Sequence, residues 1–164
     1  MSRYKFETTP SMAATAAISI FYSDAEELAG EARWWADSMP VTLQNSEKYE
    51  TLYGIANTLE GFSQPDEPDI EEKIECVVGI SMRTGKKRGI GESRATRLSN
   101  ACSHGSAGVE ALREWAEEQR EKLEEASEAS AETEKLLDEI DQFCSEVEDH
   151  VSEAEGLDFP SMMG

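Results

Sequence analysis

From Val109 to Val151 thirteen positions are spaced alternately by three and four residues: Val109, Leu112, Ala116, Gln119, Leu123, Ala126, Ser130, Thr133, Leu137, Ile140, Cys144, Val147 and Val151. The register never slips over six heptads. Such a repeat is the pattern of a left-handed coiled coil or a long bundle helix. At 1.5 Å per residue the stripe predicts one helix over 109–155, roughly 65 Å long. Leu112, Leu123, Leu137, Ile140 and Val147 are its large apolar members and the expected oligomer seam, while Gln119, Ser130 and Thr133 weaken its middle. A partner, the amino-terminal helices or a second copy has to cover it, and a homodimer or higher homo-oligomer is the expectation.

The rest of the chain also reads mainly as helix. Thr9-Pro10 suits a helix start, with Thr9 as cap and Pro10 at the first helical position. Ala14, Ile18, Phe21, Ala25, Leu28, Ala32, Trp35 and Met39 then line one face. Pro40 ends that helix, because the residue before a proline is pushed out of helical geometry. Ser46 caps a second helix with Tyr49, Leu52, Ala56 and Leu59 on one face, and Gly61 stops it. The short connection predicts an antiparallel hairpin over 1–62. SQPDEP, Ser63–Pro68, is a linker. Asp69 with Glu72 resembles a capping box, which favours a short third helix carrying Ile70, Ile74, Val77 and Val78. Cys76–Met82, CVVGISM, also has strand character, and Gly79 weakens either form. Residues 63–108 therefore read as linker, short helices and a basic glycine-rich loop, with Ser93 capping a further helix and Gly105 and Gly108 as its breaks. Residues 156–164 read as a flexible tail. The fold class is all-α, an elongated helical bundle or coiled coil.

Charge restricts the partners. Thirty-five Asp and Glu oppose 15 Lys and Arg, a net charge of −20. It is unevenly divided: residues 1–69 carry −8, residues 70–108 carry +3 and residues 109–164 carry −15. The acidic candidates for partner binding are Glu117, Glu118, Glu121, Glu124, Glu125, Glu128, Glu132, Asp138, Glu139, Asp141, Glu146, Glu148 and Asp149. Phosphate backbones and anionic lipid repel such a surface, and a basic protein is attracted to it. The opposite pole is Arg83, Lys86, Lys87, Arg88, Arg94 and Arg97. These cations could hold phosphates, but no aromatic residue lies in the loop to stack on bases. Docking on the chain's own acidic helices or on a partner protein is the favoured role. No membrane partner is expected, since no apolar run approaches the roughly 20 residues of a span. Met12–Tyr22, behind Arg3 and Lys5, imitates a signal peptide, yet it continues in helical register to Trp35, as a structural helix does.

No reaction is legible. Gly79, Gly85 and Lys86 fail the phosphate-loop spacing, because five residues separate the glycines and Lys87 stands where a hydroxyl belongs. Gly89-Ile90-Gly91 is too short for a dinucleotide fingerprint. Cys76, Cys102 and Cys144 fit neither a disulfide framework nor a zinc site and read as buried reduced thiols, consistent with a cytoplasmic protein. Cys102 and His104 do not form a recognisable nucleophile–base pair, nor does the distant His150. The expectation is a protein that is not an enzyme and has no cofactor. Trp34, Trp35 and Trp115 are expected in helix packing; one found exposed becomes the leading interface anchor.

The stretch Trp34–Glu50, WWADSMPVTLQNSEKYE, resembles the helix and Met-Pro junction of uncharacterised small acidic proteins of tailed bacteriophages and prophages. The resemblance extends further if SRATRLSNA, Ser93–Ala101, belongs to it. It brings no site residues. It implies a host-cell setting in which a small acidic protein binds a host or defence enzyme. The function expected is an acidic interaction module that inhibits or recruits a basic, nucleic-acid-handling protein, by DNA mimicry in one form. The alternatives are a coiled-coil scaffold and a nucleic-acid binder acting through residues 83–97.

Overall fold

The computed structural model describes residues 4–8, 11–44, 46–70, 72–83, 93–126 and 131–160. The fold is all-α. Its helices are α1 (Ala14–Asp37), α2 (Glu47–Glu60), α3 (Arg94–Ala126) and α4 (Ala131–Glu155), and a 3₁₀ turn, Val41–Leu43, joins the first two. Among the described residues four short strands accompany them: β1 (Tyr4–Thr8), β2 (Met12–Ala13), β3 (Glu75–Cys76) and β4 (Gly79–Arg83).

The first hairpin forms as its sequence predicts. Ser46 Oγ accepts from the Tyr49 amide at 3.3 Å and so caps α2. Arg33 on α1 reaches Asn57 and Glu60 on α2, while Asp37, one turn further along α1, accepts from Tyr53. Partners that move backward along one helix as they advance along the other define an antiparallel pair. The α1 stripe from Ala14 to Ala32 is fully buried, as are Leu52, Ala56 and Leu59 of α2. Thr9 and Pro10 lie outside the described residues, but the expected helix start there is corrected: Met12–Ala13 is strand β2, paired with β3, and α1 begins at Ala14, whose amide donates to the Ile74 carbonyl at 2.8 Å.

Further expectations are corrected. The short helix after Asp69 does not form: β3 pairs with β2 and β4 with β1, both antiparallel. The β-branched character of CVVGISM prevails because residues 4–8 and 12–13 supply strand partners, whereas Gly79 would have weakened a helix. Gly105 and Gly108 break nothing. They lie inside α3, where a Cβ on Gly108 would stand 2.6 Å from the Ala14 carbonyl oxygen and 2.7 Å from Ile18 Cγ1, and one on Gly105 would stand 2.8 Å from Val151 Cγ2. At these two positions the missing Cβ lets α1 and α4 pack directly against α3.

The largest correction concerns the helix expected over 109–155. It is two helices, α3 and α4, either side of residues 127–130, which lie outside the described residues. Arg113 meets Glu148, Arg120 meets Asp141 and the Cys144 thiol lies 3.9 Å from the Val109 carbonyl oxygen, so α4 returns antiparallel along α3. The physical reason lies in the stripe's weak middle. A straight helix would leave its apolar ends uncovered, and folding back buries them against each other. Leu112, Leu137, Ile140 and Val147 are fully buried and Leu123 partly so, all within one chain. The residues read as an oligomer seam are core. In the expected tail, Leu157 and Phe159 also pack partly buried against that core.

Candidate interaction surfaces

The return of α4 creates an arm. Because α3 runs antiparallel to α1 and Gly108 already meets the first residue of α1, the rest of α3 continues past the end of α1 with α4 beside it. Of the acidic candidates, Glu117, Glu118, Glu121, Glu124 and Glu125 are exposed on α3, and Glu132, Asp138, Glu139, Glu146 and Asp149 are exposed on α4. Asp141 and Glu148 are engaged by Arg120 and Arg113. Glu128 lies outside the described residues. Between them, Val109–Ala126 and α4 carry 17 carboxylates and four cations, a net −13. Laid side by side along the roughly 37 Å of α4, that is about one net charge per 3 Å. One straight helix would have spread its charge at about one per 5 Å, against one per 1.7 Å in duplex DNA. The fold thus achieves within one chain the density that a straight helix would reach only as a pair.

The basic pole is partly accounted for in-chain. Ser93 Oγ caps α3 by accepting from the Thr96 amide at 3.1 Å. That start turns Arg97 onto Glu31 of α1 through two bonds, at 2.8 and 2.6 Å, with Glu27 at 3.6 Å, and Arg94 onto the same Glu31 at 3.2 Å. Both cations serve the α1–α3 contact. The side chains of Arg83, Lys86, Lys87 and Arg88 lie outside the described residues. The Arg97 hydrogen bonds hold the Glu31 carboxyl below its ordinary range. A carboxylate whose folded pKa is depressed contributes stability above its unfolded pKa and loses it as pH falls through the folded value. Glu31→Gln is therefore expected to cost roughly 1–2 kcal/mol at pH 7. In urea denaturation the gap to wild type closes as pH falls below the ordinary carboxylate range, and a gap that persists at low pH contradicts this role.

A second surface lies at the α1–α2 turn. Trp34, expected in helix packing, is 67% exposed, and beyond it Val41 is 81% and Leu43 49% exposed. Trp34, Trp35, Met39, Pro40, Leu43 and Lys48 line an open cleft of about 490 Å³ at the α1–α2 turn. The two adjacent tryptophans differ in surroundings. Lys48 and Arg94 lie over the Trp35 ring at 4.9 and 5.1 Å, cation–π contacts within the chain, whereas Trp34 has none among the described residues. One turn before Trp34, Gly30 is exposed with nothing within 4 Å of a built Cβ. A glycine inside a helix is roughly 0.8–1 kcal/mol less favourable than alanine, and among the described residues no packing contact explains this one. Trp115 is half-buried and donates from Nε1 to Glu72 at 2.8 Å, so it holds the 63–78 segment against α3.

The cysteine and histidine side chains are buried or hydrogen-bonded within the chain. All three thiols are free and buried, and burial pushes Cys102 up to about 12 and Cys144 up to about 11. Thiols so shifted are protonated and weakly reactive at neutral pH. His104 Nδ1 bonds its own helix at Asn100 O, 2.8 Å away, and His150 bonds Tyr22 at 2.6 Å while stacking on Phe62. Burial raises the Tyr22 phenol above its ordinary range. Among the described residues no group of His, Cys, Asp and Glu is arranged to hold a metal ion, and no helix is long and apolar enough to cross a membrane. Comparison of the chain with protein-family models, curated proteins and solved structures returns no match.

Proposed function

We propose that the chain is an acidic protein-interaction module whose α3–α4 arm binds the cationic, nucleic-acid-handling surface of a partner protein, blocking or recruiting it. The observation that carries this reading is the pairing of two acidic helices into one arm of about one net charge per 3 Å. Bulk acidity alone would not favour it, since solvated glutamates also serve solubility. The arrangement adds a paired-helix arm of net negative charge, duplex-like in sign and at about half the charge density of duplex DNA, without needing a second copy. The phage-protein resemblance of Trp34–Glu50 makes a host enzyme the natural form of such a partner. A scaffold built on the heptad seam is the weaker reading, because that seam is covered inside the chain.

Titration with an arginine-rich peptide tests the reading. Duplex DNA is expected to compete for the peptide, and affinity to fall at least tenfold between 50 and 200 mM salt. Replacing Glu117, Glu118, Glu121, Glu124 and Glu125 together with Gln is expected to weaken binding at least tenfold with secondary structure unchanged. Equal affinity of this variant and the wild type sinks the proposal.

A further inference from the structure

We infer that the Gly30–Trp34 face of α1, with Val41 and Leu43, is a separate docking site for a cationic amphipathic helix of a partner protein. Three features converge there. Trp34 and Leu43 are exposed and line an open cleft, and Val41, two residues before Leu43 in the same turn, is exposed as well. Gly30, on the same face one turn earlier, leaves the backbone approachable, and a missing side chain lets a second helix come close. A helical side chain leans toward the turn before its own Cα, so the Trp34 indole and the bare Gly30 turn form one shelf.

Charge selects the occupant. Glu26, Glu27 and Asp37 lie on the exposed face to either side of Trp34; Glu27 also stands 3.6 Å from Arg97 and Asp37 accepts from Tyr53, while the cleft's own cation, Lys48, is held over the Trp35 ring. A second copy of this chain would set these carboxylates against their own kind, with net −20 on each copy. A helix with an apolar stripe for Trp34, Val41 and Leu43 and flanking Lys or Arg satisfies both parts of the surface. Gly30 and Trp34 belong to the far half of α1, away from the end beyond which the arm projects, so this site is distinct from the arm. The inference shares with the proposed function the choice of a basic partner; its structural warrant is independent of the arm.

The test uses two probes on the full chain, an 18-residue peptide of Leu and Lys in amphipathic helical order and a polylysine of equal charge. Trp34→Ala is expected to weaken the amphipathic peptide at least tenfold and polylysine less than twofold. Gly30→Leu, which fills the shelf, is expected to raise the melting temperature while weakening the same peptide at least fivefold. The five-Gln arm variant is expected to lose polylysine yet keep the Trp34-dependent part of peptide binding, so failure of the arm and failure of this site are told apart. Amphipathic-peptide affinity within twofold of wild type in both Trp34→Ala and Gly30→Leu overturns the inference. So does a concentration-dependent dimer in ultracentrifugation that Trp34→Ala abolishes, which would assign the face to a second copy.

Discussion

Phe21→Ala is expected to lower the stability of the chain by about 3–5 kcal/mol, the usual cost of truncating a fully buried phenylalanine. The size follows from position. Phe21 is 0% exposed, its ring lies 5.0 Å from that of Tyr22 and 6.0 Å from that of Phe62, and its Cβ and Cγ stand against Gly105 of α3. It therefore touches the segment after α2, the closest point of α3, and a neighbour, Tyr22, that bonds His150 of α4. Removing the ring leaves a cavity that several elements border and none fills alone. Two-state urea denaturation measures the loss. Phe21→Leu, which keeps most of the volume, is expected to cost clearly less, and a loss below about 1 kcal/mol for Phe21→Ala would show that the elements collapse around the site.

How far the fold was legible depends on what each residue had to meet. The α1 stripe, the Ser46 cap and the hairpin of the first two helices follow from neighbours within a few turns, so periodicity and capping chemistry suffice to read them. The α3–α4 turn was hidden because folding back preserves the very repeat that a straight helix would show. Val109, Leu112, Leu137 and Ile140 are buried either way, and the repeat does not say whether the covering helix comes from another molecule or from the same chain. The strands after Glu75 were equally opaque, since they exist through partners about seventy residues earlier. For the candidate surfaces, the acidic run was plain in the sequence, but its density along an axis depended on that hidden turn. Trp34 was misplaced because adjacent tryptophans on a helix point about 100° apart, and α3 with α2 cover the direction of Trp35 and leave that of Trp34 open.

Gly108→Ala and Gly30→Ala should change stability in opposite directions, although both place the best helix former in the interior of a helix. At Gly30 nothing lies within 4 Å of the new Cβ, so the propensity gain of roughly 0.5–1 kcal/mol is realised. At Gly108 the same gain is available, but the Cβ meets the Ala14 carbonyl oxygen at 2.6 Å and Ile18 Cγ1 at 2.7 Å. The oxygen belongs to the backbone and has no rotamer to change, and the Ala14 amide is tied to the Ile74 carbonyl, so α1 cannot tilt away without breaking that bond. The helices must separate along their closest contact, and overpacking of this kind typically costs 1–3 kcal/mol. The net expectation is a loss of about 1–2 kcal/mol for Gly108→Ala and about 3 kcal/mol or more for Gly108→Val, whose branched side chain cannot avoid Ile18. Gly105→Ala falls between, because its nearest obstacle is the Val151 side chain and not backbone. Melting curves of the four variants give the order directly. Stabilisation by Gly108→Ala would mean that α1 and α3 do not approach as closely as their glycine requires.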